Sequence, residues 1–95
     1  MSDKVIWITG ASTGIGKSLA IKFSKNGWKV AISARRAEIL NDISRQNENI
    51  FPFPLDVTNR EDCKKVFLEI KNKLQNIDIC VFSTGTWDPK KEKEI

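Results

Sequence analysis

The chain has 95 residues, with 16 lysines and arginines against 12 aspartates and glutamates, a formal net charge of +4, and neither histidine nor tyrosine. This length suits one domain or part of one. The missing residue types exclude histidine-based metal sites, and acid–base catalysis by histidine or tyrosine, within these 95 residues. Lysines alternate with acidic residues instead of clustering, so no nucleic-acid interface is expected.

The chain contains no segment typical of secretion or membrane insertion. Residues 5–8 form the first apolar run, which is far shorter than a signal peptide or a membrane span. Cys63 and Cys80 lack the spacing of a metal site, which predicts free thiols in a reducing compartment. We therefore expect a cytoplasmic protein without a membrane partner.

A glycine-rich turn follows the apolar run at residues 5–8, which is predicted to be the first strand. Gly10, Gly14 and Gly16 stand between the apolar strand pattern and a helical pattern that begins near Ile15. Glycine lets the backbone bend tightly and approach a ligand closely. The first N–H groups and the positive dipole end of the helix face the same point. The turn is therefore predicted to bind a phosphate group.

Two kinds of phosphate site share parts of this pattern. The spacing Gly-x-x-x-Gly-x-Gly is a variant of the dinucleotide-binding turn Gly-x-Gly-x-x-Gly. A P-loop would place Lys17 on the β/γ-phosphates and Ser18 on magnesium, but it needs glycine at position 11, where this chain has Ala11. The dinucleotide interpretation is favoured, while an ATP-dependent kinase and a purely structural turn stay open as alternatives.

The end of the second strand indicates which dinucleotide is bound. The first helix is predicted to end at the Asn-Gly pair 26–27, and the second strand, residues 28–34, leads into Arg35 and Arg36. About twenty positions beyond the glycines, dinucleotide-binding units place an acid for a free ribose 2′-hydroxyl or an arginine for a 2′-phosphate. Two arginines without an acid predict NADP(H) in preference to NAD(H), which is the alternative cofactor.

The third strand fixes the expected topology. A short amphipathic helix over Ala37–Gln46 precedes a strand pattern over residues 50–55. Pro52 and Pro54 alternate in it, so the N–H donors that they lack lie on one side, as in an edge strand. This predicts a Rossmann-type α/β fold of three layers, with a parallel sheet in the order 3-2-1-4 that is incomplete at its C-terminal side. The third helix should lie opposite the first two, because parallel crossovers are right-handed.

The third helix and the fourth strand complete the pattern. Thr58 with Glu61 matches a capping box for a helix over residues 59–74. One face of that helix is apolar and consists of Cys63, Val66, Phe67, Ile70 and Leu74. The fourth strand, residues 77–82, is almost continuously apolar, which is typical of a parallel strand buried on both faces.

Three stretches together resemble the cofactor-binding part of the short-chain dehydrogenases/reductases: the turn at residues 9–16, Asp56-Val57 after the third strand, and Gly85 after the fourth. The family usually shows Asn-Asn-Ala-Gly where this chain has Phe82, Ser83, Thr84 and Gly85. The resemblance implies that Asp56 and Val57 hold the adenine. The pyrophosphate and ribose region would be held by Gly10, Ser12, Thr13, Gly14, Ile15 and Gly16, and Ser83, Thr84 and Gly85 would complete the cofactor site.

The resemblance also implies an activity. Members of the family move a hydride between NAD(P) and a carbonyl or alcohol, using a catalytic serine and a Tyr-x-x-x-Lys motif, and are more than twice this length. The chain has no tyrosine, so we expect the N-terminal part of a single NAD(P)-binding domain in a longer parent, inactive alone. Its unpaired fourth-strand edge would favour self-association as a homo-oligomer. A non-catalytic dinucleotide-binding regulator is the alternative function.

Overall fold

The structure, a computed structural model, describes residues 4–11, 14–56 and 58–82. Strands and helices alternate in it as β1 (Val5–Thr9), α1 (Gly14–Lys25), β2 (Lys29–Ser33), α2 (Ala37–Gln46), β3 (Ile50–Pro52), α3 (Arg60–Leu74) and β4 (Ile79–Phe82). All strand pairs are parallel, and the order across the sheet is β3-β2-β1-β4. The predicted α/β fold and strand order are confirmed.

Strand β1 is the centre of the molecule. It pairs with β2 on one side and β4 on the other, and all five of its residues are buried. Ile6 and Ile8 belong to the core on one face of the sheet, while Val5 and Trp7 belong to the core on the other. This double burial explains why the strand is apolar without alternation.

The helices lie on opposite faces, as the handedness of parallel crossovers requires. Ala20 of α1 and Leu40 and Ile43 of α2 pack into the core that contains Ile6 and Ile8. On the other face, α3 contributes Val66, Ile70 and Leu74, which recur every four residues along one stripe. Even α3, at 15 residues the longest helix in the described part of the chain, lacks the length and apolar run that crossing a bilayer requires.

Strand β3 is the edge strand that its prolines predicted. It is shorter than the predicted residues 50–55, but its N–H groups continue the pairing beyond Pro52. Phe53 N–H donates to the Ile32 carbonyl at 2.8 Å, and Leu55 N–H donates to the Ala34 carbonyl at 3.0 Å. Pro52 and Pro54 alternate with these donors, so the sheet loses no hydrogen bond through them.

The predicted capping box at the start of α3 is wrong. Asn59 is the N-cap residue, and its side-chain oxygen accepts from Asp62 N–H at 3.1 Å. The Thr58 hydroxyl instead donates to Asp56 Oδ1 at 2.6 Å. Thr58 therefore serves the loop before the helix, because a carboxylate acceptor two residues away forms a stronger, charge-assisted bond.

The prediction that β4 is buried on both faces is also wrong. The strand starts at Ile79, two residues later than predicted, and Ile79 is 41% exposed. Cys80 is an exposed free thiol. Within the described residues, β4 has a neighbour only on the β1 side, so its outer edge is uncovered. Its start is held by Asp78, whose carboxylate accepts from Val5 N–H at 2.7 Å.

The packing of α3 predicts a sharp contrast between two neighbouring aliphatic residues. Ile70 is completely buried against the sheet, whereas Leu68 is 55% exposed. Ile70→Ala should reduce the free energy of unfolding by about 2–5 kcal/mol because it leaves a cavity. Leu68→Ala should reduce it by less than about 1 kcal/mol. Urea unfolding of both variants tests this, and equal losses would show that α3 does not cover the sheet as described.

Candidate functional site

The turn after β1 is attached to the end of β2. Gly10 leaves β1 with φ of 70°, a left-handed conformation that favours glycine. The N–H groups of Gly10 and Ala11 both donate to the carbonyl oxygen of Ser33, at 2.8 and 3.2 Å. Ser33 is the last residue of β2 and is completely buried. The backbone of the turn is therefore fixed at the carboxyl ends of two adjacent strands.

The start of α1 packs directly on this turn. A Cβ atom at Gly16 would lie 2.6 Å from the Gly10 carbonyl oxygen and 3.0 Å from Ala11 Cα. Both distances are too short, so the contact requires glycine at position 16. Gly14 opens the helix with φ of 61°, and a Cβ there would meet no atom within 4 Å. The structure thus combines one tight contact with open space beside the backbone.

The N-terminus of α1 is suited to an anionic ligand. The first N–H groups of any α-helix have no acceptor within the helix, and they carry the positive end of its dipole. The first turn of α1 contains no acidic residue, while Lys22 and Lys25 lie in its last turn. Ile15 is 80% exposed beside this terminus, which adds an apolar surface next to the N–H groups. Phosphate is the group that such termini bind most readily.

The second part of the site, here called the charged corner, follows strands β2 and β3. It consists of Arg35, Arg36, Glu38 and Asp56. Arg36 is the N-cap residue of α2, and its side chain makes no capping hydrogen bond. The side chain of Arg35 is 72% exposed, and its guanidinium lies 3.7 Å from Asp56 Oδ1. Glu38 is the one acidic residue in the first turn of α2. The corner therefore combines two arginines with two carboxylates, those of Glu38 and Asp56.

Asp56 is held in its ionised form. Its carboxylate accepts from the Thr58 hydroxyl at 2.6 Å and from Thr58 N–H at 3.0 Å. These two bonds lower the pKa of Asp56 below its ordinary value of 3.8; slight burial opposes them, and the charge of Arg35 reinforces them. The corner thus offers a carboxylate acceptor next to a cationic donor. The described residues contain no group of histidines, cysteines or acids that could hold a metal ion.

The match to a known family agrees with this geometry. The family model described as short chain dehydrogenase matches residues 4–95. The chain belongs to the short-chain dehydrogenase family. A dehydrogenase/reductase SDR family protein 7-like from Dictyostelium discoideum is 41% identical over 93 residues, which cover 88% of this chain and 29% of that protein. The chain thus spans less than a third of the length of this relative.

Solved structures share this fold. A short chain dehydrogenase from Bacillus anthracis is 36% identical and superposes with a TM-score of 0.78, over 82% of this chain and 34% of that chain. A 3-ketoacyl-(acyl-carrier-protein) reductase from Brucella melitensis, complexed with NADH, is 27% identical with a TM-score of 0.77, over 81% of this chain and 32% of that chain. The α/β architecture of this short-chain dehydrogenase chain is therefore the family's NAD(P)-binding fold.

The structure brings the predicted site residues together in two groups. Gly10, Gly14, Ile15 and Gly16 form the turn and the helix start, and Arg35 lies beside Asp56, with Arg36 next in the chain. Six further predicted residues lie outside the described residues: Ser12, Thr13, Val57, Ser83, Thr84 and Gly85. Their predicted roles remain predictions.

Two features of this short-chain dehydrogenase site were not found from the sequence. The residue patterns separate Arg35, at the 2′-phosphate, from Asp56, at the adenine, and the proximity of the two side chains depends on the β2–β3 pairing. Trp7 Nε1 donates to Ser33 Oγ at 2.8 Å in a buried hydrogen bond. A serine that ends an otherwise apolar strand was the available signal, since a buried hydroxyl needs a hydrogen-bond partner.

The contact at Gly16 predicts a specific loss. Gly16→Ala should force α1 away from Gly10 and reduce the free energy of unfolding by about 1–3 kcal/mol, as overpacking typically does. It should also weaken dinucleotide binding, because the helix N-terminus shifts. Ser18→Ala, on the exposed side of the same helix, is the control. If Gly16→Ala melts at the same temperature as Ser18→Ala, the close packing is wrong.

The hydrogen bonds of Asp56 predict a shift in its titration. Thr58→Val removes the hydroxyl donor, which is the largest cause of the lowered pKa, so the pKa of Asp56 should rise towards its ordinary value. Arg35→Ala should raise it less. NMR titration of the Asp56 carboxyl carbon measures both changes, and a larger shift in Arg35→Ala would contradict this ranking.

The same pKa has a consequence for acid stability. Because the folded-state pKa is lowered, Asp56 stabilises the fold above the unfolded-state pKa of about 4. That contribution is lost as the pH falls through the folded-state pKa. In Thr58→Val the two pKa values lie closer together, so less stability should be lost on acidification.

Proposed function

We propose that the protein containing this chain is an oxidoreductase that transfers a hydride between NADP(H) and a carbonyl or alcohol substrate. Membership of the short-chain dehydrogenase family supports the reaction class. The observation that carries the cofactor choice is the position of Arg35 and Arg36 just after β2, in a stretch, residues 33–36, that contains no acid for a free 2′-hydroxyl.

The residues of the turn fit a dinucleotide pyrophosphate. Gly10 and Gly16 pack so closely that the N-terminus of α1 faces the turn, and Gly14 leaves open space for a ligand to approach the backbone. These glycines and Ile15 would hold the pyrophosphate through backbone N–H groups and the helix dipole. When bound, the nicotinamide supplies the hydride chemistry, and this chain supplies binding and orientation.

The charged corner fits the adenosine end of the cofactor. The ionised Asp56 carboxylate is an acceptor for the adenine amino group, in the role that the family resemblance implies. Arg35 presents an exposed guanidinium, whose fork of donors matches the oxygens of a phosphate. Arg36 stands at the N-terminus of α2, where the helix dipole also favours an anion. Glu38 and the ionised Asp56 carboxylate both oppose this attraction.

The two arginines predict a preference for NADPH that can be measured. A charge-assisted contact contributes on the order of 1.5–3 kcal/mol, or roughly ten- to a hundredfold in affinity, and exposure should bring it to the lower end. In the native protein that carries this sequence, Arg35→Ala or Arg36→Ala should weaken NADPH binding severalfold and leave NADH binding nearly unchanged. Calorimetry at low and high salt measures both, and the preference should shrink as salt rises.

Arg45→Ala is the matched control for this experiment. Arg45 is an equally exposed arginine in the last turn of α2, where it pairs with Asp42, far along the helix from the charged corner. Its removal lowers the net charge by the same amount and should leave the NADPH preference intact. If the unaltered protein binds NADH as tightly as NADPH at low salt, the proposed cofactor choice is wrong.

A further inference from the structure

Ser33 connects the glycine turn to the rest of the protein through two kinds of hydrogen bond. Its backbone carbonyl accepts from Gly10 and Ala11 N–H, as described above. Its side-chain hydroxyl accepts from the indole N–H of Trp7 at 2.8 Å. Both Ser33 and Trp7 are buried, with exposures of 0% and 5%. A change in the position of Ser33 would therefore be transmitted to the first two residues of the turn.

The sheet register places the indole where it can hold the end of β2. Thr9 pairs with Ser33 and Trp7 pairs with Ala31, so the indole reaches two residues forward along the neighbouring strand. The Trp7 ring belongs to the core under α3 and lies 6.4 Å from the Phe67 ring, centroid to centroid. The tryptophan thus has one end in the packed core and the other on the residue that fixes the turn.

We propose that Trp7 is a positioning residue for the cofactor site, acting through Ser33. Its indole N–H holds the Ser33 hydroxyl, and the Ser33 carbonyl holds the N–H groups of Gly10 and Ala11. The proposal rests on the proposed function, since it assigns the turn to dinucleotide binding. Burial alone does not require tryptophan here, because the other buried positions of β1 hold aliphatic residues or threonine. The indole differs from those side chains in carrying a directed donor.

The central experiment replaces the indole in the native protein that carries this sequence. Trp7→Phe keeps an aromatic ring in the core and removes the donor. In the cofactor-free protein, it should speed amide hydrogen exchange of Gly10 and Ala11 severalfold more than that of Val30, whose N–H donates to Asn49. The Kd for NADPH should rise about two- to tenfold, the range expected for one buried neutral hydrogen bond.

Two further variants separate positioning from stability. Trp7→Phe combined with Ser33→Ala removes both partners of the bond, so stability should return towards that of the unaltered protein, while NADPH binding stays weak. Trp28→Phe is the control. Trp28 packs edge-on against Phe23, with centroids 4.9 Å apart, and precedes the amino end of β2. Its replacement should not affect the exchange of Gly10 and Ala11 selectively.

The outcomes distinguish this proposal from the proposed function. If Trp7→Phe speeds exchange at Val30 as much as at Gly10 and Ala11, Trp7 is only a core residue and the proposal is wrong. Selective exchange with an unchanged Kd would also overturn it, as would recovery of both stability and affinity in the double variant. An unaltered protein that binds neither dinucleotide would overturn the proposed function as well.

Discussion

The placement of the α1 N-terminus depends on the contact between Gly16 and the Gly10 carbonyl. No larger residue fits at position 16, because its Cβ would lie 2.6 Å from that oxygen. This contact sets how closely α1 approaches the end of β1, and therefore where its N–H groups and positive dipole end are directed. A longer separation would still leave a stable helix over the sheet. It would move the helix terminus, and with it the N–H groups, away from the turn.

The position of β1 explains why the predicted cofactor site lies at the carboxyl ends of the strands. Because β1 lies between β2 and β4, its carboxyl end is surrounded by the ends of neighbouring strands. The chain reverses its winding direction here, since α1 and α2 cover one face and α3 the other. In open parallel sheets, ligands bind outside the carboxyl ends of the strands at such a switch point. The glycine turn, Arg35 and Asp56 all belong to segments that leave strands at that edge.

Residue patterns predicted the features that follow from one segment alone. They missed the contacts that depend on which segments lie side by side. Alternating Pro52 and Pro54 identified the edge strand, because the missing donors follow from the residues themselves. The apolar run before Phe82 indicated burial, but burial also requires a strand and helices beyond β4, and the described residues provide none. Thr58 matched a capping motif, yet its hydroxyl has a carboxylate acceptor in Asp56, and Asn59 caps the helix instead. The Trp7–Ser33 bond depends on the β1–β2 register, which motifs alone do not specify.

The ion pair between Arg35 and Asp56 is compatible with a role for Arg35 in phosphate binding. The Arg35 side chain is 72% exposed and that of Asp56 47%, and the 3.7 Å separation is long for a hydrogen bond. Exposed pairs of this kind contribute little to stability, and the bonds from Thr58 already hold the Asp56 carboxylate. Arg35 therefore lies near Asp56 without being saturated by it, since a guanidinium has five N–H donors. A phosphate beside Arg35 would add an acceptor to that fork while Asp56 kept its two bonds to Thr58. Because these contacts use different donors, the roles proposed for Asp56 and Arg35 do not compete for hydrogen bonds, although the carboxylate charge weakens the attraction of this corner for a phosphate.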